Sequence, residues 1–463
     1  MNPRSLRASA QRIAPLAWPV LIGQISVVAF ATIDTALVAR HSADDLSALA
    51  VGSAIYVTIF VGLMGVVLAV GPTVGQMFGA RRLAEAGHQL HQAIWLALAL
   101  SILGSALLLF PTPLLALAGA SAELGTKVRS YLALLALSLP ASLLFTCYRG
   151  FNTAVSRPKA VMALQVGGLA IKIPLSWMFI SGVPVLGLPA MGMVGCGLST
   201  LLSMWMQLLL AHLILRRDPF YQPFALGGLR LPAPHAPSLR ALLRLGIPMG
   251  LSILIEVTAM SMMTIFIARL SERGVAGHQI AVNLLSLMFM MPLALSNATG
   301  TLVAQRIGAG DLRDARRLGW HGLELALGIA AVMGGLTYLA RESVLGLYTD
   351  NRQIIAAAMP LLAWMALFHV SDAAQTMACF VLRAWRIATV PLLIYAFSLW
   401  GLGLGGGYVL ANNTPGFIPL ALQGAQGFWV AGTLGMAVAG IALSLFLIWV
   451  LRQRQHRNAV PAS

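Results

Sequence analysis

The sequence predicts an all-α integral membrane protein, with twelve transmembrane helices in two six-helix bundles related by a pseudo-two-fold axis along the membrane normal. Three observations predict it: long apolar runs, basic residues gathered on one side of them, and a repeat at one constant offset. Of 463 residues, 59% are hydrophobic and only 10% charged, with a mean hydropathy of +0.84. Soluble domains carry about 25% charged residues, so a soluble core is excluded. The runs do not alternate in ten-residue strands as outer-membrane barrels do. Each is close to the roughly 20 apolar residues that a helical span needs.

Taken in order, the runs fall near 13–39, 49–77, 90–112, 128–152, 160–181, 192–215, 243–269, 276–304, 318–340, 355–382, 388–410 and 425–451. With the N-terminus in the cytoplasm, Arg4, Arg7, Arg12, Arg81, Arg82, the basic residues from Arg149 to Lys159, and those from Arg216 to Arg244 lie inside. So do Arg306, Arg313, Arg316, Arg317, Arg383, Arg386 and the C-terminal arginines from Arg452. Only Arg40, Lys127, Arg129, Arg269, Arg273, Arg341 and Arg352 fall outside, and Lys172 alone lies within a span. The positive-inside rule then places both termini in the cytoplasm of a multi-pass protein of the plasma membrane, the inner membrane of a bacterium. It also accounts for the formal charge of +16 without nucleic acid. The first run is too long for a cleavable signal, and no small-residue cleavage site follows it, so it reads as a retained span.

The repeat joins "GPTVGQMFGARRLAEA" from Gly71 to "GTLVAQRIGAGDLRDA" from Gly300. Gly71, Val74, Gln76, Gly79, Ala80, Leu83 and Ala86 match Gly300, Val303, Gln305, Gly308, Ala309, Leu312 and Ala315, always 229 residues apart. The same offset relates Pro19 to Pro248 and Gly195 to Gly424. A six-helix unit has been duplicated; six is even, so both copies run the same way through the bilayer. The expected organisation is an N-terminal lobe at 1–215, a proline-rich cytoplasmic linker at 216–242, and a C-terminal lobe at 243–463. Two such lobes suit alternating access, with substrate held near the bilayer midplane.

Ten of the fourteen acidic residues lie in loops or at span ends, and Glu324 lies in the first turns of span 9 near the cytoplasmic face. Asp34, Glu256 and Asp372 lie well inside spans 1, 7 and 10. A carboxylate at membrane depth costs roughly 2.5–3.5 kcal/mol on insertion scales. Each is either a protonated, hydrogen-bonded packing residue or a group that faces a cavity. A cavity-facing acid can hold a proton while dry and release it when a cation arrives, which is the chemistry of a coupled exchanger. Lys172, central in span 5, either snorkels or sheds its charge, or pairs with Asp34 inside the first lobe. Met260, Met263 and Met288 belong to clusters that serve as packing or as a deformable wall for varied apolar ligands.

The rest of the chemistry is sparse. Cys147, Cys196 and Cys379 sit in apolar runs without metal spacing, and read as small packing residues. His88 and His91 share a helix face, but no further ligand completes a set. "GLGLGG" from Gly401 satisfies GxGxxG within a span, where close helix packing explains it better than a dinucleotide. There is no HExxH, GxSxG or P-loop, so no enzyme and no cofactor beyond a coupling ion is expected.

Several stretches, "IDTALVARHSADDLSALAVGSAIY", "GPTVGQMFGARR", "AGHQIAVNLLSLMFMMPLALSNA" and "VAQRIGAGDLRDAR", resemble the multidrug and toxic compound extrusion (MATE) transporters, above all the NorM-type branch. The resemblance spans nearly the whole chain. It implies export of lipophilic organic cations by antiport with H+ or Na+. It places the family's first-lobe Asp on Asp34, and its second-lobe Glu and Asp on Glu256 and Asp372, where Na+ is an alternative to protons. In "IKIPLSW" this chain has Lys172 and Ser176 where relatives often have Asn, which speaks against a first-lobe Na+ site. The expected partners are cationic small molecules and membrane lipid, with no nucleic acid, and the expected state is a monomer. The runner-up is a flippase for lipid-linked precursors, which would favour a basic cleft; a channel or receptor ranks lower. A fluorescent protein fused after Ser463 should fold and fluoresce in the cytoplasm. A periplasmic phosphatase reporter inserted between Arg341 and Arg352 should be active; the reverse pattern overturns the orientation.

Overall fold

The computed structural model describes residues 5–117, 122–184, 187–226, 231–414 and 416–459. Arg4 and Arg230 of the basic set, and part of the linker, lie outside the described residues. Among those residues, twelve helices are long and apolar enough to cross a membrane. They are α1 (Leu6–His41), α2 (Ala43–Gly79), α3 (Leu83–Leu109), α4 (Glu123–Ala154), α5 (Pro158–Ser181), α6 (Gly192–Arg217), α7 (Ala236–Leu270), α8 (Arg273–Gly308), α9 (Leu312–Leu339), α10 (Arg352–Ala384), α11 (Thr389–Ala411) and α12 (Gly424–Gln453). Each overlaps one of the twelve predicted runs. Two short helices that hydropathy does not predict, Thr112–Leu117 and Arg341–Tyr348, precede α4 and α10.

The helix starts have local causes. Ser42, Ser271, Asp311 and Asn351 each accept a backbone N–H two or three residues on. Such a cap satisfies one orphan donor and stabilises the helix by about 1 kcal/mol. The duplication is written in the backbone as well as in the side chains. Arg81 and Gly310, again 229 residues apart, both adopt positive φ (59° and 78°) in the turns after α2 and α8. Glycine takes that conformation without strain, whereas the arginine is held in it by the surrounding turn.

In α11 the glycine-rich run lies in a π-helical stretch, Ala396–Gly405. It packs closely on α12: a Cβ on Gly435 would come within 2.4 Å of the Ser398 carbonyl oxygen. A wide, side-chain-poor turn of this kind lets two helix backbones approach, and no strand precedes it to make a dinucleotide motif.

The chain divides into two compact units, Trp18–Gly250, and Met1–Ala17 together with Leu251–Ser463. This sorting differs from the expected lobes at 1–215 and 243–463, and particular bonds explain it. In the first unit, Gln92 receives the His235 amide (2.7 Å) and donates to the Ala233 carbonyl (3.1 Å), while Trp95 donates to the Pro232 carbonyl (2.9 Å). The Arg157–Asp218 pair (2.5 Å) and the Tyr221 hydroxyl on Asn152 (2.5 Å) fix the Pro219–Phe224 turn. The Phe220 amide and the Arg157 guanidinium hold the Asp218 carboxyl below the usual carboxylate range.

The second unit keeps the start of α1 through Asp314. That carboxylate accepts both Arg12 guanidinium nitrogens (3.1 and 2.8 Å), Arg306 Nε (3.1 Å) and Arg317. Ser9 adds a hydrogen bond with His321 Nδ1 (2.7 Å). A bidentate Arg–carboxylate pair fixes orientation as well as charge, so the first turns of α1 group with the second unit.

Gly195 allows α6 to approach α5: a Cβ there would lie 2.3 Å from the Phe179 carbonyl oxygen. Gly195→Ala should therefore cost about 1–3 kcal/mol, the usual range for overpacking. It should show as a lower thermal unfolding midpoint in detergent, and an unchanged midpoint would mean that the two backbones can separate freely.

Candidate functional site

In the first unit the sequence puts one acid and one base at membrane depth, and the helices bring them together. Asp34 is 7% exposed on α1, and Lys172 is fully buried on α5. Lys172 Nζ lies 2.9 Å from Asp34 Oδ2. Ser176, one turn after Lys172, donates to Asp34 Oδ1 (3.0 Å), so α5 contributes two partners from one face. From α6, Ser199 accepts from Nζ at 3.1 Å, the Cys196 carbonyl lies at 3.4 Å, and Thr200 closes the shell. The ammonium also sits 4.5 Å above the Phe30 ring. Both carboxylate oxygens are engaged and the ammonium is surrounded by acceptors. The cluster is electrically neutral and hydrogen-bonded, which is the condition for burying charge.

The second unit is built differently. Asp372, 3% exposed on α10, accepts from Gln375 Nε2 (2.7 Å), with the Thr376 hydroxyl at 3.5 Å. Gln375 in turn accepts from the Tyr395 hydroxyl at the start of α11. Glu256, on α7, lines a cavity of about 30 Å³ whose other walls are apolar and include Met260, Met263, Phe368, Leu399 and Met436. That volume admits about one or two waters. The structure thus brings Met260 and Met263 to Glu256. It does not bring Met288, which is buried 3.6 Å from the Thr337 hydroxyl.

Several polar groups escaped the sequence reading. Ser199 and Thr200, like Gln375 and Thr376, had a helical signal, because they follow Cys196 and Asp372 by one turn. His278 had none. The Trp429 indole donates to its Nδ1 (3.2 Å) and its Nε2 meets the Thr264 hydroxyl (2.8 Å). Because Thr264 already donates to the Met260 carbonyl (3.0 Å), its oxygen accepts from Nε2–H, and the imidazole is the neutral Nε2 tautomer. His369, one turn before Asp372, is fully buried, with neither ring nitrogen hydrogen-bonded among the described residues.

Comparison with known proteins adds an independent line. The MatE family model matches residues 19–178 and 248–409. The two matched segments begin at Pro19 and Pro248, the repeat positions read from the sequence. A probable multidrug resistance protein NorM of Aromatoleum aromaticum is 38% identical over 98% of this chain and 97% of its own length. The multidrug resistance protein PmpM of Pseudomonas aeruginosa is 33% identical over 98% and 94%. A eukaryotic MATE transporter crystal structure superposes with a TM-score of 0.86 at 18% identity, covering 98% of this chain and 99% of that one. An outward-facing multidrug resistance MATE transporter gives 0.85 at 20%, covering 97% of each. At these identities the structures speak for the fold.

The Asp34–Lys172 pair makes a clean test. Lys172→Met and Asp34→Asn should each destabilise the protein by about 3–5 kcal/mol, because each leaves a buried group without its partner. The double variant should lose much less than the two single losses combined. Strict additivity in a thermal-unfolding cycle would show that the two groups do not interact.

Proposed function

The chain belongs to the MatE family, and from that premise we propose that it is a multidrug efflux transporter that exports lipophilic organic cations by antiport with protons. In this reading it is a multi-pass protein of a bacterial inner membrane with both termini in the cytoplasm. The observation that carries the mechanism is the difference between the two acid sites. Asp34 already has a resident cation in Lys172. Glu256 faces an apolar cavity, Asp372 is held by Gln375, and among the described residues neither acid forms an ion pair.

Two buried carboxylates without an ion-pair partner call for a positive charge from outside to stay ionised there. A proton supplies it in one half of the cycle and a cationic drug in the other, so each expels its rival. The cavity is too small for a drug and large enough for water, which fits the proton-loaded form. Met260 and Met263 have unbranched, flexible side chains, and repacking of that wall would admit ligands of different shapes. Gln375 and Tyr395 hold Asp372 toward one side of this arrangement as the proton comes and goes.

Purified protein in liposomes, loaded with a fluorescent lipophilic cation, tests the reading directly. An imposed proton gradient should drive uptake against the dye gradient, and a sodium gradient alone should not. Glu256→Gln and Asp372→Asn should each slow proton-driven exchange at least about tenfold, the scale of one lost charge-assisted interaction. Exchange driven by sodium alone would overturn proton coupling, and full exchange in both variants would overturn the site.

A further inference from the structure

The C-terminal end of α9 and the N-terminal end of α10, with the short helix Arg341–Tyr348 between them, border a second, open concavity, remote in sequence from Glu256. Its volume is about 620 Å³. Two arginines stand at it, Arg341 and Arg352, and below them α10 presents Ile355, Met359 and Ala363 one turn apart, with Ala356 beside them. Eight residues of helix make an apolar track of about 12 Å. Arg341 is held by its bond to the Tyr338 carbonyl (2.9 Å) and lies 4.4 Å over the Tyr338 ring, so its guanidinium is pre-oriented. Among the described residues, neither arginine is in an ion pair, although Glu342 and Asp350 are close in sequence.

We propose that this groove binds an anionic phospholipid, its phosphodiester on Arg341 and Arg352 and an acyl chain along Ile355, Met359 and Ala363. Three features select this occupant. The charge is positive and unpaired, at the membrane-edge ends of two spanning helices. The floor is apolar, formed by Ile355, Ala356, Met359, Pro360 and Ala363, which suits acyl chains and not water. The arginine pair is also particular to the second copy: the 229-residue offset puts Thr112 and Glu123 at the corresponding positions of the first. A cationic drug would meet two like charges here, and a free phosphate would leave the apolar track uncovered.

The test uses the full-length protein, stripped of lipid in a neutral detergent and titrated with dioleoyl-phosphatidylglycerol, with dioleoyl-phosphatidylcholine or with inorganic phosphate. The readout is the thermal unfolding midpoint. Phosphatidylglycerol should raise it, and the other two should not. The double variant Arg341→Gln/Arg352→Gln should bind phosphatidylglycerol about tenfold more weakly. Ala356→Trp, which fills the exposed track and keeps both charges, should do the same. No shift with phosphatidylglycerol, an equal shift with phosphatidylcholine or phosphate, or undiminished binding in either variant would each overturn the proposal.

Discussion

A charge at membrane depth has to be neutralised by something, and the inner construction of this protein follows from how each buried acid meets that demand. In the first unit the answer is internal. Lys172 reaches Asp34, and hydroxyls from two helices complete the shell around both. Breaking such a pair leaves a lone buried charge, so the pair disciplines the geometry of α1, α5 and α6 even though its net contribution to stability is modest. In the second unit the side chains provide amide and hydroxyl donors for Asp372 and an apolar cavity for Glu256, and among the described residues no basic side chain forms an ion pair with either acid. One site is thereby a closed electrostatic joint and the other an open one.

That division follows the history of the duplication. The turns are kept, as at Arg81 and Gly310, and the matched segments begin at equivalent prolines. The ion chemistry is not kept. At the repeat offset, Asp34 corresponds to Met263 and Lys172 to Gly401, while Glu256 corresponds to Val27 and Asp372 to Leu143. Backbone turns are fixed by sterics that apply equally to both copies, whereas each acid needs its own surrounding partners and can be gained or lost with them. The methionine opposite Asp34 now forms part of the wall beside Glu256.

A similar logic binds the chain ends to the bulk. Asp314 draws three arginines to itself at the edge of the second unit, and one of them, Arg12, brings in the first turns of α1. The corresponding acid of the first copy, Glu85, pairs with Arg82 in its own turn and reaches no farther. The linker is tied down by amide and indole hydrogen bonds instead. Exposed ion pairs such as Arg82–Glu85 are worth little, while the better-shielded carboxylate of Asp314 ties the first turns of α1 to the second unit.

By itself the sequence determined the twelve spans, their duplication and the three acids at depth, because hydropathy, a constant offset and the rarity of intramembrane charge are all one-dimensional signals. Only the tertiary structure decided which charges meet. Lys172 and Asp34 are 138 positions apart and could equally have stayed separate; the fold brings the two side chains to 2.9 Å. Met260 and Met263 sit beside Glu256 while Met288, in an equally methionine-rich run, does not, since helix rotation is set by packing and not by composition. The arginine groove at α9 and α10 depends in the same way on a short helix too brief for hydropathy to reveal. Which cation a carboxylate meets is a property of three-dimensional neighbours, and the order of residues along the chain leaves it open.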